Sequence, residues 1–227
     1  MRPVHTFPLL LVLFILLFPT GSGALRQLQA QGSPAVDPAL LTPLRWRSIG
    51  PANTGGRVAD LAVARVPGLP DAIYVGTASG GIFKSTNQGT SWAPVFDRVD
   101  AMMSIGDLAV SPSNPNVIWA GTGEANNRQS SSWGDGVYRS LDGGRTWKAA
   151  GLAETRHIGR VLVHPSNPDV AYVAAVGHLW GSNSERGVFK TTDGGQSWTR
   201  VLHVDDHTGA TDVVMDPDNP ETLFAAT

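Results

Sequence analysis

From residue 57 onward, apolar and polar positions fall into short runs of four to eight residues, broken by Gly, Pro, Asn and Asp. Such runs predict strands rather than helices. They recur in a fixed order. A first run covers 57–64 (RVADLAVA), 105–110, 158–163 and 210–215, and a second covers 73–77 (IYVGT), 117–122 (VIWAGT), 170–175 (VAYVAA) and 223–227 (LFAAT). A third covers 81–84 (GIFK), 136–139 (GVYR) and 187–190 (GVFK). A fourth starts at a Trp, over 92–96, 147–150 and 198–202. The first two runs are apolar on both alternating faces, as a sheet covered on both sides requires.

Two motifs keep time with this order. Residues 85–92 (STNQGTSW), 140–147 (SLDGGRTW) and 191–198 (TTDGGQSW) share a pattern of hydroxyl, any, Asp or Asn, any, Gly, any, hydroxyl, Trp, with the Trp residues 55 and 51 positions apart. SPSNP at 111–115, HPSNP at 164–168 and DPDNP at 216–220 lie 53 and 52 apart. Four short strands in a repeat of this length predict an all-β chain, a β-propeller with four-stranded blades. A solenoid is the rival, though it usually repeats at a shorter period. The blades are expected at about 57–98, 104–150, 157–202 and 209–227, the last with two strands of four. Three blades plus half a fourth read as the N-terminal portion of a longer protein. A short chain closing its ring by oligomerising is the alternative.

The N-terminus follows other rules. Arg2 and His5 precede an apolar run over 9–18, followed by Pro19, Gly21, Ser22, Gly23 and Ala24. This predicts a signal peptide over 1–24, with cleavage after Ala24 or alternatively Ala30. The run is shorter than the roughly 20 residues of a spanning helix, so no stable membrane anchor is expected after removal. Export to the periplasm or medium follows. Residues 25–43, rich in Gln, Ala and Pro, read as a linker.

Composition narrows the partners. With 17 Lys and Arg against 19 Asp and Glu, the formal charge is −2, which argues against nucleic acid. The absence of Cys removes disulfides and thiolate metal sites. No cofactor and no metal is expected.

The turn motif has a mechanical reading. Asp142 and Asp193 accept backbone N–H groups, and Asn87 does nearly the same. Ser85, Ser140 and Thr191 supply hydroxyls, Gly89, Gly144 and Gly195 permit positive φ, and Trp92, Trp147 and Trp198 seal the turn against the blade. On these residues the chain, over 44–227, resembles the Asp-box, or bacterial neuraminidase repeat, propellers. Those include sialidases, xyloglucanases and the luminal domain of sortilin. The opening 46–63 (WRSIGPANTGGRVADLAV) is similar to exported bacterial proteins of the sortilin-N-terminal-like or glycosyl-hydrolase-like kind. The resemblance implies that residues 44–49 form a ring-closing strand, and that the Asp-box residues are structural.

It also implies that ligands bind opposite the boxes, where the loops from second to third strand and between blades meet. Those loops hold Glu124, Asn127, Arg128, Trp133, His178 and Trp180, and the blade connections add Arg57, His157 and His207. Trp rings beside Asn and Arg suit a carbohydrate or peptide ligand, although they also suit anchoring of their own loops. Glycosidases need paired carboxyl groups, for which Glu124, Asp205 and Asp206 qualify by position alone. The resemblance to xyloglucanases implies a catalytic Asp in a Thr-Asp-x-Gly-Gly turn after an early second strand. Here that turn is Thr77-Ala78-Ser79-Gly80-Gly81, and Ala78 cannot ionise. No catalytic residue is therefore assigned. A glycan- or peptide-recognition scaffold is the first expectation. The alternative is the first part of a xyloglucanase- or sialidase-like glycoside hydrolase, completed by further blades of the same protein.

Overall fold

The computed structural model describes Asp37, residues 57–126 and residues 128–227. The expected signal peptide, the linker apart from Asp37, the strand at 44–49 and Asn127 lie outside the described residues. The remainder falls within one compact unit, Arg47–Thr227.

Among the described residues, fourteen strands form four antiparallel sheets. The first contains β1 (Val58–Ala64), β2 (Ala72–Thr77), β3 (Gly81–Ser85) and β4 (Ala93–Pro94) in that order. The second repeats it with β5 (Ile105–Val110), β6 (Ile118–Thr122), β7 (Val137–Ser140) and β8 (Lys148–Ala149). The third has β9 (Ile158–Val163), β10 (Ala171–Ala175), β11 (Gly187–Thr191) and β12 (Thr199–Leu202). A two-stranded sheet follows, β13 (Asp212–Met215) with β14 (Leu223–Ala226). The first strands of successive sheets neighbour one another. These are the blades of a propeller, and the only other element among the described residues is a 3-10 turn at Ala153–Thr155. The outer strands β4 and β8 are shorter than expected, two residues each, although Val95 N still donates to Ile82 O (2.9 Å) just beyond β4.

The core lies between blades, not within them. On β6, Ile118 and Ala120 face the first blade and join Tyr74, Ile82, Phe96, Ile105 and Trp147. The intervening Trp119 faces the third blade and joins Ile158, Val161, Val163 and Val173. Period-two alternation with apolar residues on both faces thus glues each blade to two neighbours.

The repeated turns match their mechanical reading. Ser140 Oγ donates to Asp142 Oδ1 (2.9 Å) and accepts the Gly144 N–H (2.8 Å), while Asp142 accepts from Thr146 N and Oγ1 at 2.8 and 2.6 Å. Thr191 and Asp193 repeat this with Gly195 and Ser197. In the first copy Asn87 Oδ1 accepts from Ser85 Oγ and Ser91 N, each at 2.9 Å, but its amide donates to Ser91 Oγ.

The Trp residues reach further than their own turns. Trp147 Nε1 donates to Val95 O (3.0 Å) and Trp198 Nε1 to Ala150 O (2.6 Å), each on the outer edge of the preceding blade. A second column joins the seams. Tyr74, Trp119 and Tyr172 pair across strands with Lys84, Arg139 and Lys190, whose cations lie 5.2, 4.8 and 5.2 Å from the ring centroids. Tyr74 Oη and Lys84 Nζ both donate to Gly143 O of the next blade at 2.9 Å.

The turn carboxylates give a pH signature. Hydrogen bonds from Ser197 and Thr191 draw Asp193 down to about 2. At Asp142 burial acts to raise the pKa, but bonds from Thr146 and Ser140 outweigh it and leave the group at about 2. Both lie below the ordinary 3.8, so their stabilisation is complete above that value and is lost as pH falls toward 2. A melting scan from pH 5 to pH 2 should therefore fall steeply in the wild type and less so in Asp193→Asn. Parallel curves would contradict the assignment.

Candidate functional site

A hydroxyl closes the mouth of the second-to-third-strand loop in two blades. Thr77 Oγ1 donates to Gly81 O (2.9 Å) and accepts the Gly80 N–H (2.8 Å). Thr122 Oγ1 donates to Gly136 O (2.6 Å) and accepts the Asp135 N–H (2.8 Å). The loop of the first blade is thereby a tight turn, while that of the second is a long excursion carrying Glu124, Arg128 and Trp133. In the third blade Ala175 stands at this position. There Arg186 holds the loop instead, its Nη1 donating to Val176 O (2.9 Å) and its Nη2 to His178 O (2.7 Å).

An open cleft of about 480 Å³ lies between the first and second blades, lined by Ser79, Met102, Met103, Ser104, Ser131, Ser132 and Trp133. None of these side chains is charged. The walls are tied together: Gly81 N donates to Met103 O (2.8 Å), Gly123 N to Ser104 O (2.7 Å) and Ser104 Oγ to Ser132 O (3.0 Å). Asp135 Oδ2 accepts from Met102 N (3.1 Å) and Tyr138 Oη (2.9 Å), which makes it a brace behind the cleft. Trp133 remains 54% exposed at the rim.

The structure brings Arg57 and Glu124 together but hides the acid. Arg57 Nε donates to Glu124 Oε1 at 2.7 Å, Nη2 contacts Oε2, and Glu124 is 1% exposed. Burial works to raise this carboxyl, but bonds from Arg57 and Asn126 outweigh it and hold it below the usual range. It is an anionic clamp on the chain entering β1, with no face turned to a ligand. Ala78 is likewise buried, its N–H donating to Arg57 O (2.9 Å).

The histidines do not assemble. His157 is buried with Nδ1 3.0 Å from Gly177 O, and burial lowers its pKa, so it is a neutral internal strut rather than a residue of the loop surface. His178 Nε2 lies 3.2 Å from Glu154 O. His207 is exposed, and its N–H donates to Asp205 Oδ1 (2.8 Å). Asp206 approaches His203 Nε2 at 3.6 Å. Among the described residues no three His, Asp or Glu side chains converge as metal ligands would. Arg128 is exposed, and Trp180 is 69% exposed on its own loop; both exposed Trp rings turn outward rather than folding down as loop anchors.

A charged column runs along the first strands. Asp60 Oδ2 accepts the Leu108 N–H (3.0 Å), and Asp107 Oδ2 accepts the Val161 N–H (2.8 Å), each reaching from one blade to the next. Arg160 takes the same place in the third blade, where it cannot accept. It bridges Asp107 (3.2 Å) and Asp212 (2.7 Å) instead. Burial, reinforced by Asp60 and Asp212, pushes Asp107 up to about 7 against the pull of Val161 N–H and Arg160.

No family model matches the chain. A xyloglucanase of Hypocrea jecorina (strain QM6a) is 27% identical over 169 residues, covering 69% of this chain and 19% of that protein. An ancestral GH74 enzyme of known structure matches with a TM-score of 0.54 at 28% identity, over 74% of this chain and 22% of that one. A GH74 enzyme from Niastella koreensis matches with a TM-score of 0.58 at 18% identity, over 76% and 28%, and bears on the fold alone. The chain spans about a fifth of the length of the curated relatives it matches.

Proposed function

We propose that the chain forms glycan-binding blades of an exported glycoside-hydrolase propeller that takes a neutral β-glucan of the xyloglucan type. The likeness to xyloglucanases favours this reading over a sortilin-like scaffold. The observation that carries it is the uncharged cleft between the first two blades, edged by exposed Trp133. An indole face stacks on the C–H face of a hexose, and serine hydroxyls and main-chain groups bond its hydroxyls. A polyuronate would find no cation among the lining residues, because the nearest, Arg156, is held against the Trp133 ring. The repeated turns act as Asp boxes, structural and remote from the ligand, and the segment 1–24 directs export.

In this reading at least one carboxyl group of hydrolysis lies outside these residues, since Glu124 is sequestered and Ala78 cannot ionise. Ala78 equally favours a second reading, recognition without turnover. Calorimetric titration with a xyloglucan oligosaccharide and with polygalacturonate tests the ligand class. The neutral glycan is expected to bind, and Trp133→Ala to weaken it about tenfold. Preference for the polyuronate, or an unaffected Trp133→Ala, would defeat the proposal. Release of reducing ends from xyloglucan then separates hydrolase from binding protein.

A further inference from the structure

Between the second and third blades the chain makes an unusual corner. Arg156 has φ 58° and ψ −40°, and the His157 N–H bonds across it to Thr155 O at 2.6 Å. This is a γ-turn of the positive-φ kind, rare and strained for any residue with a side chain. Glycine would occupy it with little cost. The arginine there makes two contacts with the cleft. Its carbonyl accepts the Gly134 N–H at 2.6 Å, and its guanidinium lies 4.5 Å from the centroid of the Trp133 ring. The strained corner thus holds both the main chain beside Trp133 and one face of the indole.

We infer that Arg156 is the positioning residue of the glycan platform: it covers one face of Trp133 and fixes the ring so that the other face is presented to a sugar. This rests on the glycan reading above and adds to it the element that orients the aromatic group. Cation–π contact orders the ring before ligand arrives, so less freedom is lost on binding.

Arg156→Gly in the full chain separates the two parts of the argument, because glycine keeps the turn and deletes the stack. Two readouts are required: acrylamide quenching of the Trp133 contribution, taken as the difference from Trp133→Phe in the same background, and affinity for a xyloglucan oligosaccharide. The expected result is stronger quenching and affinity lower by about fivefold, with melting unchanged or raised, and partial recovery of both in Arg156→Lys. Unchanged quenching and affinity in Arg156→Gly would overturn the inference. Should the wild type bind no oligosaccharide, the glycan reading falls, and quenching alone decides whether Arg156 orients the ring.

Discussion

Trp119→Ala is expected to remove about 3–5 kcal/mol of folding stability, the range for deleting a fully buried aromatic side chain. The residue is 0% exposed and serves three functions in one seam. Its ring packs among Ile158, Val161, Val163 and Val173 and meets Trp198 edge-on at 6.2 Å. Arg139 lies over its face at 4.8 Å, and its Nε1 donates to Pro168 O at 3.3 Å. Alanine would leave a cavity and an Arg139 whose Nε is already buried without a partner. Urea unfolding of Trp119→Ala against Trp180→Ala gives the measurement, since Trp180 is 69% exposed and its loss should change stability by less than about 0.5 kcal/mol. Equal midpoints for the two variants would refute the seam as the source of stability.

Gly123→Ala should cost about 2–4 kcal/mol and disturb the cleft as well. Gly123 has φ +85°, so any side chain is strained there. A Cβ would also run into the Arg156 carbonyl and lie 2.7 Å from Gly134 N. These are main-chain atoms with no rotamer to swing aside, and Gly134 N donates to that same carbonyl. Relief must therefore push the Trp133 strand of the loop away from the γ-turn. Lower melting temperature together with weakened oligosaccharide binding is expected. A variant that melts and binds as the wild type would show that the loop is not fixed in the way described.

The repeat was legible because it is written in residues with narrow conformational roles. The turns at Asn87, Asp142 and Asp193, their glycines and the strand order all follow from it. The seam partners were not legible. Nothing in the spacing says that Trp147 and Trp198 bond to the preceding blade, because that depends on how two sheets face each other. The cross-strand pairs Tyr74–Lys84, Trp119–Arg139 and Tyr172–Lys190 do leave a signal in the aligned runs, an aromatic residue and a cation at equal register in each blade. At the site, loop position singled out Trp133 and Trp180, which are exposed, together with Glu124 and His157, which are buried. Both of the latter are buried by tertiary contacts, Arg57 with Glu124 between blades and His157 with Gly177 within the third. The role of Arg156 was not legible, because it comes from backbone geometry, which residue type does not reveal.

The threonine clamps at Thr77 and Thr122 make the neck of a loop independent of its length. The same pair of bonds seals a minimal turn in one blade and a long excursion in the next. Ring-closure entropy grows only slowly with added residues, so new sequence can be grafted above such a neck without loosening the sheet beneath. Specificity in this architecture is thus free to diverge by insertion, blade by blade, while the framework is inherited intact.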